Sequence, residues 1–396
     1  MSGMKDAILV VNGGSSSIKC SLYDDSSDTQ PVATLQISGI GSDTTSLIAK
    51  SAHGSSSEHN VSSRSFDEAI DILLSVLSET TTSYNLKAIG YRIVHGGPYF
   101  NQPVELKAID NQQWEQLEKL APDHVPAERR LAERLSLRFT QAVHVACFDT
   151  MFTHELPQDT RYLPIDSQYY DKGIRRYGFH GLSYEFLQQE FESRAGETAK
   201  LGRVIYAHLG SGCSLLSTHH GKPINTTMSF TPTSGVMMSA RSGDIDPSIA
   251  LYLIEHEGLS TDEVRTLLNV NSGLKGIAGT PDMKTLLANE STDEKSAQAV
   301  RMFVSSVRHA IGGLAAELGG VDSLIFSGGI GEQSAILRSR ICDDLSYMGI
   351  TLDPVRNQFG EFLISANDSR TGVHVIPTDE NKTITRHIKL FLAQGR

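Results

Sequence analysis

Apolar residues run unbroken from Ala7 to Val11 and stop at Asn12-Gly13-Gly14. A short apolar run ended by a glycine turn predicts a strand buried on both faces. Ile18 to Tyr23 then alternates, as the antiparallel partner of a hairpin would. Ser42 to Ser65 is rich in Ser, Thr, Gly and Asn and reads as loops and exposed strands. Phe66, Ala69, Ile70, Leu73 and Leu77 recur at helical spacing and predict a packed helix.

The middle of the chain repeats this opening. Val204 to Leu209 is apolar, Gly210-Ser211-Gly212 is a turn, and Ser214 to Thr218 returns. Strand, glycine turn, serine and strand follow one another in both places, which suggests two domains of similar build. Any two such hairpins look alike, so the echo alone leaves duplication and coincidence open. Asp246-Pro247 reads as a helix start, a capping residue followed by proline at the first helical position. Ser291 and Glu294 have capping-box spacing. Val300, Phe303, Val304, Val307, Ile311, Leu314 and Leu318 then form an amphipathic pattern closed by Gly319-Gly320. Ser323 to Phe326 predicts a short buried strand leading into Gly328-Gly329-Ile330-Gly331. Val373 to Ile376 predicts another, and a helix from about Asp379 ends the chain. Strands alternating with helices give an α/β class with helices covering the sheets.

At about 150 residues per domain, 396 residues correspond to two or three domains. A formal net charge of -11 argues against a nucleic-acid partner, and no basic cluster exceeds the pairs Arg129-Arg130 and Arg175-Arg176. No apolar run approaches the ~18 residues of a membrane span, and the opening residues lack the pattern of a secretory signal. Cys20, Cys147, Cys213 and Cys342 form no C-x-x-C pair, so buried reduced thiols in a cytoplasmic protein are expected.

Three glycine-rich turns follow apolar runs, at residues 13–14, 210–212 and 328–331. Glycine lets the backbone approach a ligand and turn its N–H groups inward, as anion sites require. None fits G-x-x-x-x-G-K-[ST] or G-x-G-x-x-G, so neither a P-loop nor a Rossmann dinucleotide site is indicated. Near such turns stand Arg92, Asp149, His180, Arg241 and Asp244. Each alone fits a salt bridge, a cap or a satisfied histidine. Together they are what phosphoryl transfer uses, since arginine matches phosphate and carboxylate oxygens with a planar fork and carboxylates hold Mg²⁺, usually through water.

The segments Ile8-Leu9-Val10-Val11-Asn12-Gly13-Gly14-Ser15-Ser16-Ser17-Ile18-Lys19, Arg92-Ile93-Val94-His95-Gly96-Gly97, Tyr177-Gly178-Phe179-His180-Gly181 and His208-Leu209-Gly210 resemble those of the acetate kinase family. So do Phe230-Thr231-Pro232, Met237-Met238, Arg241-Ser242-Gly243-Asp244-Ile245-Asp246-Pro247, Gly328-Gly329-Ile330-Gly331-Glu332 and Ile376-Pro377-Thr378-Asp379-Glu380, in the family's order and across nearly the whole chain. The resemblance implies two similar actin-like (ribonuclease H-like) lobes with a nucleotide cleft between them. It puts residues 1–150 and 385–396 in the acyl-substrate lobe and 151–384 in the nucleotide lobe. It implies a homodimer and reversible in-line transfer from ATP to acetate or propionate, giving acetyl or propionyl phosphate and ADP.

By the same resemblance, Arg92 and Arg241 flank the acyl and phosphoryl groups, His180 hydrogen-bonds the phosphoryl in flight, and Asp149 is essential. Val94, His124, Phe179 and Pro232 border the acceptor. Ser15, Ser17 and Lys19 belong to the phosphate-facing turn, with His208, Gly210, Ser211 and Gly212 opposite in pattern. Asp282, Gly329, Ile330 and Gly331 match nucleotide contacts. Asn12 and Glu380 match magnesium positions, where Mn²⁺ could replace Mg²⁺. Four positions depart from the family: Ser211 for asparagine, Asp123 for a leucine of the methyl pocket, Thr233-Ser234 for leucine-glutamate, and Lys284 for arginine. They leave open an acceptor other than acetate, and Ser211 and Asp123 a catalytically weak regulatory protein of the same fold; pyrophosphate as donor is a further alternative, against which the retained Gly328-Gly329-Ile330-Gly331 speaks.

Overall fold

The computed structural model describes residues 4–14, 16–25, 30–42, 44–51, 56–61 and 63–395. Two sheets organise them. The first contains β1 (Lys5–Gly14), β2 (Ser17–Asp24), β3 (Ala33–Ser38), β4 (Thr45–Ser51), β5 (Ser56–Val61), β6 (Tyr84–Ile93), β7 (Val104–Glu105) and β8 (Val143–Phe148). Their order is β5-β4-β3-β2-β1-β6-β8-β7. The second contains β9 (Arg203–Leu209), β10 (Cys213–His219), β11 (Lys222–Thr226), β12 (Ser323–Ser327) and β13 (Gly372–Val375). Their order is β11-β10-β9-β12-β13.

The two builds match strand for strand. β1 pairs antiparallel with β2 and parallel with β6, while β9 pairs antiparallel with β10 and parallel with β12. A third antiparallel strand extends each hairpin, and a further parallel strand follows on the other side. The hairpin echo in the sequence therefore reflects duplication: both sheets contain the five-strand order 3-2-1-4-5 of the ribonuclease H-like fold. The first sheet adds β4 and β5 from the polar stretch after residue 42. β5 is almost wholly exposed, as that composition suggests.

The chain divides into two compact units, Met1–Met151 with Asp379–Arg396, and Phe152–Thr378. The terminal helix Glu380–Ala393 lies wholly in the first, so the return expected at residue 385 falls inside it and moves to Asp379. The physical reason is packing. Ile384 and Ile388 are fully buried, and a Cβ on Gly90 of β6 would run into both. In the second unit Tyr184, Leu187 and Phe191 pack on Val204, Tyr206, Leu216, Ile325 and Ile376 from the sheet side.

Most expected helix ends hold. Asp246 caps Pro247–Glu255, and Gly319, with φ 70°, closes Glu294–Leu318. The cap of that long helix is Asp293, however, not Ser291: its carboxylate accepts from Ser296 N–H at 2.9 Å. An Asp-x-x-Ser spacing competed with Ser-x-x-Glu two residues earlier, and the carboxylate made the cap. All four cysteines are buried and none is in a disulfide, and burial pushes the Cys20 and Cys213 thiols up to about 12. Among the described residues no helix is long and apolar enough to cross a membrane.

Candidate active site

In the first unit the reactive groups gather at the carboxyl ends of parallel strands, where open α/β sheets place ligands. β6 ends at Arg92-Ile93 and β8 at Phe148, and Asp149 N–H donates to Ile93 O at 2.9 Å. In register Arg92 stands beside Asn12 of β1, and Asn12 stands across from Lys19 of β2. The Arg92 guanidinium donates to Asp149 Oδ2. Its Nε lies 3.6 Å from Glu380 Oε2, and Nη1 lies 3.9 Å from Glu128 Oε1. Burial alone would pull the Arg92 guanidinium down, but Asp149, Glu380 and Glu128 hold it above its ordinary value. Asp149 is fully buried, and burial raises its carboxyl despite the opposing pull of Arg92. Lys19 is exposed, and Asn12 and Ser17 are half-buried. Ser15 lies outside the described residues.

The segment after β6 is fixed at each step. Val94 N–H donates to Glu128 Oε2 at 2.9 Å, Gly96 N–H to Thr150 Oγ1 at 3.0 Å and Gly97 N–H to His95 Nδ1 at 2.8 Å. His124, half-buried, is the N-cap residue of the helix Val125–Arg138. Asp123 beside it is exposed.

The second unit builds a different cluster around a glycine. His180 caps the helix Gly181–Ala195 in the left-handed region, φ 58° and ψ 27°. Histidine is among the few non-glycine residues found there, and such strain concentrates at functional positions. Its Nδ1 and Ser214 Oγ share a hydrogen bond of 2.8 Å, and Tyr184 OH holds the same serine. The other ring nitrogen is thereby aimed. A Cβ on Gly212 would lie 3.3 Å from His180 Nε2 and 3.2 Å from Arg241 Nη1. The missing side chain thus leaves a space on which an imidazole and a guanidinium converge. Arg241 Nη1 also donates to Pro232 O at 3.2 Å, tying that proline to the cluster. The loop carrying Arg241 is closed by Asp244, which accepts from Gly235 N–H at 2.7 Å. Phe179 is buried next to His180 in the chain.

His208 at the end of β9 lies with its ring centroid 4.4 Å from that of His180. Its Nδ1 bonds Ser183 Oγ at 2.9 Å, and Ser183 Oγ bonds Thr378 Oγ1 at 2.7 Å. A Cβ on Gly210 would lie 3.7 Å from His208 Nε2 and 3.9 Å from Gly329 N, so the second and third glycine segments adjoin. Ser211 at the turn is exposed. The third segment is not the loop its composition suggested. Gly328–Gln333 is a short helix, with Gly328 at φ 75° backed against the Leu209 backbone. Glu332 Oε1 accepts from Gly328 N–H at 2.8 Å and Thr378 N–H at 3.1 Å. Gly329 is exposed, Ile330 half-buried and Gly331 buried. Asp282 caps a separate helix, Met283–Asn289, accepting from Lys284 and Thr285 N–H, and the Thr285 hydroxyl holds its carboxylate below the usual range.

The donor set suits a cation that keeps water and takes oxygen ligands from a phosphate. Asp149 Oδ1 is buried with no hydrogen-bond donor among the described residues. Among those residues no group of three or more His, Cys, Asp and Glu could cage a metal. The sequence reading missed Glu128, Ser183, Ser214, Tyr184 and Glu332, which position the reactive groups. Glu332 and Ser214 stand in segments already singled out but without a role, and Glu128 left a signal of its own: it interrupts the apolar stripe Val125, Leu131, Ala132, Leu135.

The sequence profile of the Acetokinase family matches residues 7–386. This chain belongs to the acetokinase family. An acetate kinase of Rhodopseudomonas palustris (strain TIE-1) is 38% identical over 407 residues, covering 99% of this chain and 100% of its own. One of Rickettsia felis is 37% identical over 397 residues, covering 98% and 100%. Among solved structures, a propionate kinase from Francisella tularensis superposes with TM-score 0.90 at 32% identity, covering 96% of this chain and 98% of its own. Porphyromonas gingivalis acetate kinase superposes with TM-score 0.87 at 30% identity, covering 98% and 100%. The acetokinase fold explains the paired sheets, and the family's chemistry, phosphoryl transfer to a carboxylate, fits the charged groups of both units.

Proposed function

We propose that this chain is an acetate kinase, moving a phosphoryl group reversibly between ATP and acetate or propionate by direct in-line transfer. The observation that carries this reading is the convergence of His180 Nε2 and Arg241 Nη1 on the space left by Gly212, in a chain of the acetokinase family.

The acceptor carboxylate is ionised at neutral pH, so no general base is needed to make the nucleophile. The task is to bring an anion to a polyanion, which preorganised donors accomplish. Arg92 binds the acceptor carboxylate, held in place by Asp149 and Glu380. Val94 and His124 of the first unit and Phe179 and Pro232 of the second are assigned to its short alkyl group. Arg241 and His180 donate to the equatorial oxygens of the phosphoryl group as charge spreads over them. Ser214 and Tyr184 hold the His180 ring so that its Nε2 needs no reorientation. Ser17 and Lys19 of the first unit and His208, Gly210, Ser211 and Gly212 of the second are assigned to phosphate binding, with Ser15 assigned by its place in the sequence alone. Asp282, Gly329, Ile330 and Gly331 border the adenosine. Asn12 and Glu380 would hold Mg²⁺ (or Mn²⁺), with Asp149 accepting from its water shell. The bound cation neutralises charge on the phosphate oxygens.

We also infer a cytoplasmic homodimer. The helix Pro247–Glu255 supports the homodimer, because it buries none of its residues in the single chain and exposes Ile249, Leu251, Tyr252 and Ile254.

Incubation with Mg-ATP, acetate and hydroxylamine tests the activity. Trapped acetyl hydroxamate is expected. Its absence with acetate, propionate and butyrate alike would overturn the reading. Acetate is the favoured acid, and a change of acid preference in Asp123→Leu would show that this position shapes the choice of acceptor.

A further inference from the structure

The helix Val125–Arg138 buries Val125, Glu128, Leu131, Ala132 and Leu135, so a glutamate occupies one position of an apolar stripe. Glu128 is 3% exposed. Glutamate is almost never buried so deeply without a partner that repays its desolvation. The partner here is the backbone that leaves β6. Val94 follows the last paired residue of that strand, and its N–H donates to Glu128 Oε2 at 2.9 Å. The other carboxyl oxygen, Oε1, lies 3.9 Å from Arg92 Nη1, beyond hydrogen-bond reach. One side chain therefore pins Val94 and borders Arg92. The helix itself is registered on the sheet, because a Cβ on Gly13 would run into Leu131. Glu128 N–H also bonds back to His124 O at 3.2 Å, at the start of the same helix.

We propose that Glu128 is a positioning residue for the acceptor acid: its side-chain oxygen fixes the Val94 backbone, and with it the side chain that borders the acid's alkyl group. The proposal rests on the reading of Arg92 and Val94 as acceptor-side residues. It specifies what the Glu128 side chain must supply, an acceptor oxygen at that place. Glutamine supplies one, leucine does not, and aspartate is one methylene too short to reach.

The test is steady-state kinetics of wild type, Glu128→Leu, Glu128→Gln and Glu128→Asp with acetate and propionate. Circular dichroism checks that each variant is folded. Glu128→Leu is expected to raise the acceptor KM about tenfold and to change the acetate-to-propionate ratio of kcat/KM. The ATP KM should stay within about twofold, and Glu128→Gln should recover most of the acceptor affinity. If Glu128→Leu does not fold, Glu128→Asp must show the same rise. An unchanged acceptor KM in folded Glu128→Leu or Glu128→Asp, or a Gln variant as impaired as Leu, would overturn the proposal. Failure of the underlying reading looks different: wild type would phosphorylate no short acid, or Arg92→Ala would leave the acceptor KM unmoved.

Discussion

The roles proposed for His180 and Arg241 each rest on one nitrogen near Gly212, so they can be tested one residue at a time. A preorganised donor to transition-state charge is worth about 3–4 kcal/mol, or 10²–10³ in rate. Arg241→Ala and His180→Ala are each expected to lower kcat by at least that factor while changing the ATP KM little. A loss confined to KM would show that they bind substrate without stabilising the transition state. Glu128 makes a second prediction, on stability. Burial pushes its carboxyl from the ordinary 4.5 to about 8, against the pull of Arg92 and Val94 N–H. The folded state therefore holds this proton more tightly than the unfolded state. Its contribution is complete below about pH 4.5 and is lost as pH rises to about 8. Glu128→Gln carries no such proton, so its Tm relative to wild type should climb between pH 5 and pH 9. A difference that stays flat across that range would refute the assignment. The two residues also differ in legibility. His180 stands between glycines in a motif, and its chemistry shows in the sequence. Glu128 shows in the sequence only as a break in an apolar stripe, and its role comes from the contact with Val94, 34 residues away.

Elements, not single side chains, decide whether Arg241 arrives in place. Its loop folds against Gly273, which sits at φ 61°, where a Cβ would collide with the carbonyl oxygens of Met238 and Arg241. Gly273→Ala brings both backbone strain, about 1–3 kcal/mol, and displacement of this loop. A lowered Tm together with a kcat reduced tenfold or more is expected. A variant that loses stability but keeps full kcat would show that the loop tolerates the shift. Gly212→Ala probes the same space from the other side, placing a methyl 3.2 Å from Arg241 Nη1 and 3.3 Å from His180 Nε2. Its kcat should fall with little change in Tm, because the turn carries no positive-φ requirement at that residue. Element types were largely legible, since apolar runs and helical spacing follow directly from burial. The helix Gly328–Gln333 was not. Glycine disfavours helices by about 1 kcal/mol per residue, and three glycines in four residues read as loop. The segment is helical because Glu332 folds back to accept from Gly328 N–H and because Gly328 must pass close to Leu209.

At the scale of the whole molecule the duplicated sheet was legible only as an echo of one hairpin. Register and strand order made it a duplication, because parallel pairing joins residues far apart in sequence that no local pattern links. The same scale holds the case for a dimer. Ile249, Leu251, Tyr252 and Ile254 stand on a nine-residue helix with no buried position, and Leu251 and Tyr252 are more than half exposed. Singly exposed apolar residues are ordinary, but a helix apolar all round is one that other protein covers. Obligate homodimer interfaces are the more hydrophobic kind. The helix also follows directly on the loop that carries Arg241, with Asp246 capping it and Asp244 closing the loop. Covering the helix would therefore steady the loop of Arg241, the arginine proposed to act on the phosphoryl group. Light scattering should return about twice the chain mass of 43.1 kDa for the wild type. Leu251→Glu with Tyr252→Glu should return a single chain with circular dichroism intact and kcat reduced, since the loop then loses its support. A wild-type protein that stays at one chain mass at micromolar concentration would refute the dimer. A monomeric double variant with full kcat would show that dimerisation and the placement of Arg241 are independent.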